Sequence, residues 1–372
     1  MKPWSRLSKF AVLFTGIALG SMATLPALAR NDKIPGSRYV SGRGAALGDA
    51  FITLADDAPS SLFYNPAGLA RLKKPRLEVI NVAAEGTQSF FSTFKLTKVT
   101  KVVSLTGYKS TILANPAKEI GVSGQLLPTF SFRSFGIGVL YNNSIWAKYR
   151  KDDGVIEYRT LYQIIPTIGF GLRLAQGIIR LGYSLQWVNQ ASGTVQVSDD
   201  ATGLSYKNAL AEGTALSHTA GFALTFPLRY IPQLAIVARN LGNARFSSTT
   251  LLKQAKNPTG APADEPMSFD VGVGASPKLG SMAHVNWAVQ GRDLLGASGY
   301  SIIQRVVVGA ELSFRDFLFF RGGWGSAYFH GGVGLRRSKS QFNLTFYNEE
   351  IGTPSDSSKD TRIQFHYQSA IF

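Results

Sequence analysis

The four histidines are the residues of this sequence best suited to acid–base or metal chemistry near neutral pH. They are His218, His284, His330 and His366. None of their spacings matches a metal site, and the chain contains no cysteine. A hydrolase would need a nucleophile beside a histidine; Ser338 and Ser340 follow His330, but nothing marks either serine as a nucleophile. We therefore expect no enzyme, no catalytic residue, no metal ion and no cofactor.

The arginines are the second group with binding chemistry. Several of them share one phase of the alternating pattern described below with two acidic residues, and the set is Arg133, Arg173, Arg180, Arg336, Asp270 and Glu311. Two interpretations remain open. The set either forms ion pairs in a polar interior or lines a basic path for a ligand carboxylate, which arginine binds through two parallel hydrogen bonds. Under the second interpretation Arg133, Arg173 and Arg180 are candidate ligand-binding residues.

The elements that would position these arginines are short segments in which apolar and polar residues alternate. From residue 179 to 187, for example, Ile, Leu, Tyr, Leu and Trp alternate with Arg, Gly, Ser and Gln. A period of two places successive side chains on opposite faces of a sheet, so the pattern predicts β-strands. We predict about 14 strands, each end placed to within a few residues. They lie near 76–84, 125–134, 135–147, 156–175, 177–198, 216–226, 232–240, 267–276, 281–291, 302–314, 316–325, 327–337, 340–348 and 361–371.

The N-terminus has the features of a secretory signal. A basic start precedes an apolar stretch over 10–25, and Ala27 and Ala29 form a small-residue cleavage site. We expect residues 1–29 to be a signal peptide that is cleaved after Ala29. The 372-residue chain has a net charge of +16 with scattered Lys and Arg, which suits lipid phosphates, lipopolysaccharide or anionic ligands. No nucleic-acid-binding motif is found, so no nucleic-acid partner is expected.

An exported chain with many alternating strands, and no apolar segment long enough for a membrane helix after the signal, is best explained as a closed β-barrel in the outer membrane of a Gram-negative bacterium. A soluble β-sandwich shows the same alternation, but long strands, an inward face rich in Gly, Ser and Arg, and aromatic residues near strand ends favour the barrel. Those aromatic residues are Tyr141, Trp146, Tyr162, Trp187 and Trp324. The longer links, 199–216, 242–266, 291–300 and 349–360, are predicted to be extracellular loops.

Residues 30–75 do not alternate. Leu47, Ala50, Phe51 and Leu54 have helical spacing. Irregular backbone cannot face lipid, so we predict that this segment, which we call the hatch, lies inside a barrel formed by 76–372. Residues 88–123 also lack alternation and are expected to contain a short amphipathic helix that ends at Asn115-Pro116.

Two short motifs stand within the hatch. Asn65, Pro66 and Gly68 have the pattern of a helix cap followed by a turn, and we expect them to shape the backbone. Asp56 and Asp57 either pair with interior arginines or form an ordinary helix-terminal turn, and both interpretations remain open.

The hatch motifs resemble the N-terminal pattern of PorV-type proteins, which are outer-membrane barrels related to FadL-type long-chain fatty-acid transporters. The resemblance covers GAALGDAF (44–51), LADD (54–57) and YNPAGLA (64–70). Later segments are similar as well, namely RNLG (239–242), QGRDL (290–294), VGAE (308–311), FRGG (320–323) and GGVGL (331–335). The resemblance implies a 14-stranded monomeric barrel with a lumenal hatch. In FadL-type proteins the hatch helps to gate hydrophobic molecules, which leave through a gap in the wall, whereas PorV-type members handle exported proteins.

The C-terminus departs from the usual pattern of a barrel. Phe372 is a candidate signal for the barrel-assembly machinery, but the apolar phase runs through Ile363, Phe365 and Tyr367 and is out of step with it. Either a bulge near Ser369-Ala370 shifts the register or Phe372 is not a standard signal.

Two functions follow as hypotheses. The first is a FadL-like channel for uptake of hydrophobic or amphipathic small molecules, with Phe51, Leu54 and Phe63 as candidate lining residues. The second is a PorV-like, non-enzymatic protein that docks or shuttles exported proteins through its outer loops, with 242–266 as the first candidate. Outer-membrane lipid and a hydrophobic small molecule or an exported protein are the expected partners.

Overall fold

The computed structural model describes residues 37–93, 105–116, 118–200, 210–255, 257–296, 298–350 and 359–372. The predicted signal peptide 1–29 and its cleavage after Ala29 lie outside the described residues, as do residues 94–104 of the predicted amphipathic helix. Within the described ranges, no helix has the length and apolar character needed to cross a membrane.

The strands form one antiparallel sheet that closes on itself. They are β1 (Arg76–Thr87), β2 (Glu119–Leu126), β3 (Thr129–Phe132), β4 (Phe135–Arg150), β5 (Val155–Leu174), β6 (Ile179–Ser198), β7 (Ala211–Thr225), β8 (Gln233–Arg239), β9 (Ser268–Ala275), β10 (Lys278–Leu279), β11 (Ala283–Gly291), β12 (Val306–Phe314), β13 (Leu318–Gly325), β14 (Tyr328–Arg337), β15 (Ser340–Glu350) and β16 (Lys359–Ala370). Because β1 pairs with both β2 and β16, the sheet is a barrel.

In two cases, two of these strands are successive parts of one wall strand. Both β2 and β3 pair with β1 and with β4, and both β9 and β10 pair with β11. The described wall therefore has 14 strands, and the predicted all-β barrel of about 14 strands is confirmed. The helices are α1 (Gly42–Ala46), α2 (Ala58–Phe63), α3 (Gln88–Thr93), α4 (Leu105–Leu113) and α5 (Ile302–Arg305), with 3₁₀ helices at Pro66–Arg71 and Ala175–Gly177.

The alternation of the sequence becomes an inner and an outer face. Outward side chains such as Ile137, Phe170, Val273 and Phe342 are apolar and exposed, whereas their inward neighbours are buried. An outward apolar belt around a closed sheet is the pattern that lipid requires. Trp146 is an exception to the predicted aromatic ends, because it points inward and is buried beneath the guanidinium group of Arg362, 3.9 Å from its ring centroid.

The two ends of the barrel differ. At the end that we call the lower rim, tight turns such as Arg133–Ser134 and Arg315–Asp316 have positive φ at both residues and join neighbouring strands directly. The longer links lie at the opposite end, the upper rim. Strands β5 and β6 have 20 residues each, whereas β8 has 7. The wall is consequently tall on one side and short on the other.

Two local predictions were wrong. The second wall strand begins at Glu119, six residues before its predicted start. The sequence Ile302–Arg305 forms α5 and not the start of a strand. At the C-terminus, a register shift does occur opposite Ser369-Ala370, but the extra residue lies in β1, between Glu78 and Ile80, and not in β16. Phe372 lies beyond the end of β16 and is half exposed.

Candidate functional site: the hatch and the lumen

The described part of the hatch, residues 37–75, passes through the interior of the barrel. Helix α1 packs against β13 to β16, and the 3₁₀ helix Pro66–Arg71 packs against β5, β6 and β7 on the other side. Most of its apolar side chains are buried, and those of Phe51, Leu62 and Leu69 are completely so. The hatch therefore spans the lumen from one side of the wall to the other.

Helix caps explain the short motifs of the hatch. Asp57 caps α2 and accepts a hydrogen bond of 2.7 Å from the Ser60 amide. Asn65 caps the 3₁₀ helix through the Ala67 amide, and its side-chain amide donates to the Ile52 carbonyl at 2.9 Å. A methyl group at Gly68 would lie 2.6 Å from the Ala55 carbonyl oxygen, so only glycine fits this approach. These residues shape the backbone.

A buried ion network ties the first half of the hatch, residues 37–54, to the wall. Arg43 donates two hydrogen bonds of 2.9 Å to the Glu311 carboxylate and one of 2.7 Å to Asp56. Arg321 on β13 donates to the same Glu311 at 2.6 Å. Burial by itself lowers the pKa of Arg43, but the carboxylates of Asp56 and Glu311 outweigh it, so the pKa rises above its usual range. Asp56 therefore pairs with Arg43, which belongs to the hatch itself. It does not pair with any of the interior arginines predicted from the strand pattern.

His366 makes a second connection in this half. Its Nδ1 accepts a hydrogen bond of 3.1 Å from the Gly42 amide, and its Nε2 lies 2.9 Å from Asn81 Oδ1. Since the Gly42 amide must donate, Nε2 carries the proton and the imidazole is neutral. His330 is also structural, because its ring nitrogens lie 3.0 and 3.1 Å from the carbonyl oxygens of Ala45 and Gly325. Neither ring is oriented toward a serine nucleophile.

Inward glycines allow the hatch backbone to touch the wall. On β6 a methyl group at Gly182 would overlap the carbonyl group of Pro66, and at Gly171 on β5 it would overlap the Ala70 amide. Across the lumen, a methyl group at Gly309 would lie 2.5 Å from the Leu47 carbonyl oxygen. The sequence pattern indicated a polar lumen face rich in glycine; the structure shows that these glycines are contact points for the hatch.

The centre of the lumen is apolar. Phe51, Leu54 and Phe63 join one buried cluster with inward side chains of the wall, which include Leu127, Leu140, Ile165, Val188, Ala288 and Val307. Aromatic rings pack edge to face, with 5.0 Å between the ring centroids of Phe51 and Tyr64. The three predicted lining residues are therefore packing residues of a closed interior in this structure.

The wall is interrupted where this apolar cluster reaches it. Residues Leu127 and Pro128 separate β2 from β3, opposite the register shift in β1. Proline has no amide hydrogen, so the ladder cannot continue through position 128. The Leu127 amide still donates to the Asn81 carbonyl at 2.9 Å, and the buried Leu127 side chain lies in the cluster around the hatch.

The predicted inward arginines occupy different places. Arg180 is buried in the lumen, as predicted, whereas Arg173 is exposed at the lower rim. Arg133 is exposed in the turn between β3 and β4 and stacks on Phe132, so its prediction as a lumenal residue was wrong. The alternation was extended into the rim, past the end of β3 for Arg133 and into the last two residues of β5 for Arg173. Sequence reasoning also missed Arg71, which lies beside Arg180.

The 242–266 segment is attached to the barrel. Ser247 forms an isolated bridge with Thr214 on the part of β7 that β8 is too short to pair. The Glu212 carboxylate accepts from the amides of Lys253 and Ala255 at 2.7 and 2.8 Å. Arg38 of the hatch forms an ion pair with Glu265. Much of this segment is thus held in place by the wall and the hatch.

No group of His, Cys, Asp and Glu residues suited to hold a metal ion occurs in the described part of the chain. No family model and no curated protein matches the sequence.

Solved structures with the same architecture do exist. The CymD monoaromatic hydrocarbon channel aligns with a TM-score of 0.51 and 10% identity, over 92% of this chain and 99% of that chain. The deltaS2 mutant of the TodX monoaromatic hydrocarbon channel aligns with a TM-score of 0.52 and 9% identity, over 89% of this chain and 98% of that chain. A FadL homologue of Pseudomonas aeruginosa aligns with a TM-score of 0.46 and 10% identity, over 93% of this chain and 99% of that chain. The chain thus shares the closed, 14-stranded antiparallel barrel fold of the CymD and TodX channels.

Proposed function

We propose that this protein is an outer-membrane channel of the FadL-like type for uptake of hydrophobic or amphipathic small molecules. The observation that carries the proposal is the apolar cluster in the lumen, which runs from the hatch to the interrupted strand at Leu127-Pro128. A pore for ions or sugars would keep a polar, water-filled centre. The CymD and TodX channels, which share the fold, are named for monoaromatic hydrocarbons.

The proposed location follows from the outer surface. The apolar belt suits lipid, and the long links at the upper rim suit the extracellular side. We further propose that the signal is cleaved after Ala29 and that the barrel-assembly machinery recognises Phe372. The inserted protein would contact lipopolysaccharide and be a monomer.

The proposed route requires movement of the hatch. Phe51, Leu54 and Phe63 fill the lumen in the closed state, and they would line a passage once the hatch shifts. The irregular stretch Leu127-Pro128 between β2 and β3 is the proposed lateral exit. Within the described ranges, each of these residues keeps only one backbone bond to a neighbouring strand, from Leu127 to Asn81 and from Val139 to Pro128, and Leu127 connects the stretch to the apolar cluster. Ligand leaving at this point enters the membrane without crossing water.

The alternative of a PorV-like docking protein is less well supported. Its first candidate surface, 242–266, forms hydrogen bonds to β7 and an ion pair to the hatch. The two neighbours that share the fold are named as channels and not as docking proteins. We therefore do not adopt this role.

Vesicles with lipopolysaccharide in their outer leaflet provide the test. Intact protein is expected to speed uptake of a fluorescent alkyl ligand while conducting almost no ions, because the hatch fills the lumen. Deletion of residues 30–75 is expected to give a large ion conductance, which shows that the barrel is inserted. If the intact barrel is sealed and neither form transports ligand, the channel proposal is wrong.

A further inference from the structure

Three arginines lie close together at the lower rim, where exposed Arg173 is the cross-strand partner of Arg180. Arg71 ends the 3₁₀ helix of the hatch, Arg173 is near the end of β5 and Arg180 is near the start of β6. Nη2 of Arg71 and Nη2 of Arg180 both donate to the side-chain oxygen of Gln233, the latter at 3.4 Å. The buried guanidinium group of Arg180 and the partly buried one of Arg71 therefore adjoin one another, with like charge.

None of the three has an acidic partner. Among the described residues, no Asp or Glu oxygen forms an ion pair with any of them, in contrast to Arg43, which binds two carboxylates. Their hydrogen-bond acceptors are neutral: Gln233, the Thr225 hydroxyl at 2.6 Å from Arg180, and the Gln176 carbonyl beside Arg173. The Nε of Arg180 is buried and has no hydrogen-bond partner among the residues that the structure describes.

Isolated buried cations are unfavourable, and proteins normally pair them with an anion. Burial lowers the pKa of Arg71, and the more distant Asp56 offsets this effect only in part. Guanidinium groups bind carboxylates and phosphates through parallel hydrogen bonds. Arg173 is exposed at the lower rim, so an anion from water can reach the group.

We propose that Arg71, Arg173 and Arg180 form a binding site for an oxyanion, which is either a free phosphate-like ion or the carboxylate head of an amphipathic molecule. Arg71 belongs to the hatch and the other two belong to the wall. A bound anion therefore bridges hatch and wall, while its loss leaves like charges facing each other across that contact. The site does not depend on transport, because it can bind in detergent-solubilised protein.

Isothermal titration calorimetry on the full chain tests the site with three probes. They are inorganic phosphate, dodecanoate and the uncharged analogue dodecanol. The variants are Arg71→Gln, Arg173→Gln and Arg180→Gln. Arg133→Gln is the matched control, since it removes the same charge from the same rim. The Arg180 variant is expected to bind oxyanion at least about tenfold more weakly, and the control is expected to stay within about twofold of wild type.

The pattern of probes identifies the source of the anion. Binding of phosphate and dodecanoate alike, lost in the Arg180 variant, supports a general oxyanion site. Binding of dodecanoate without phosphate, again lost in the variant, supports a carboxylate head. The proposal is overturned if wild type binds neither anion, or if all three variants bind as wild type does.

Two features of the experiment keep it decisive. Arg173 is exposed, so its variant is expected to fold even if the buried arginine variants do not, and it should still weaken binding measurably. Uptake of a neutral ligand by wild type is measured separately. An absence of anion binding with normal uptake would therefore remove this site and leave the channel proposal intact.

Discussion

Both halves of the hatch touch wall glycines, but they differ in the polar contacts that hold them to the wall. The first half uses charged and polar side chains, as in the Arg43–Glu311 pair and the hydrogen bond between Gly42 and His366. The second half, residues 55–75, rests its backbone on wall glycines, and Arg239 donates to the carbonyl oxygens of Phe63 and Tyr64 at 2.8 and 3.1 Å.

This difference indicates which half can move. Breaking a buried ion pair leaves an uncompensated charge, whereas moving the second half from the wall loses close packing and the two hydrogen bonds from Arg239 to backbone carbonyls. The second half also carries Arg71, which no carboxylate holds in place. We infer that the first half is an anchor and that opening starts in the second half.

The largest effect is expected when the ion network that anchors the first half of the hatch is disrupted. Glu311→Gln leaves Arg43 and Arg321 without their shared buried carboxylate, and we expect a loss of about 3–5 kcal/mol in the free energy of unfolding. Urea unfolding in detergent, followed by tryptophan fluorescence, measures it. The control Asp153→Asn disrupts an exposed pair with Arg150 and should change stability by no more than about 0.5 kcal/mol. Equal effects of the two variants would refute the anchor.

A smaller effect is expected from Gly182→Ala, which targets the second half. The added methyl group overlaps the carbonyl group of Pro66, so the 3₁₀ helix must move away from the wall at a cost of about 1–3 kcal/mol. We expect increased ion conductance and faster proteolysis within 66–75. Gly322→Ala is the control, since nothing lies within 4 Å of the added methyl group there. If both variants conduct alike, the glycine contact does not hold the hatch.

The smallest effect on uptake is expected when the first half of the hatch is cross-linked to the wall. A methyl group at Gly332 would lie 2.8 Å from the Cβ of Ala46, so an Ala46→Cys/Gly332→Cys pair can form a disulfide after a small shift. The chain has no other cysteine to interfere. Ligand uptake should remain within about twofold of the reduced form, since an anchor does not need to move. Uptake that stops on oxidation and returns on reduction would show that the first half moves too.

The sequence was sufficient for the barrel because lipid imposes one rule on every strand. Side chains must alternate between an apolar belt and the lumen, and this period survives in single segments such as 179–187. The prediction failed at the rims of the barrel, where this rule no longer applies. Arg133 and Arg173 were assigned to the lumen because the period was extended into the rim, where Arg133 follows the end of β3 and Arg173 lies in the last two residues of β5.

The contacts of the hatch were beyond sequence reasoning for a different reason. What faces Gly182 is decided by the position of Pro66, more than a hundred residues away, and the pattern of β6 contains no trace of it. At Leu127-Pro128 the sequence showed only a proline, and nothing in the sequence of β1 predicted the register shift opposite it. Arg71 was overlooked because the hatch was interpreted through its turns and not through its charges.

The hydrogen bond from the Gly42 amide to His366 spans 324 residues of chain. The ribosome therefore makes one partner long before the other. Contacts so distant in sequence form late, because loop closure must come first. Until β16 is made, the hatch must remain close to an unfinished barrel without this partner.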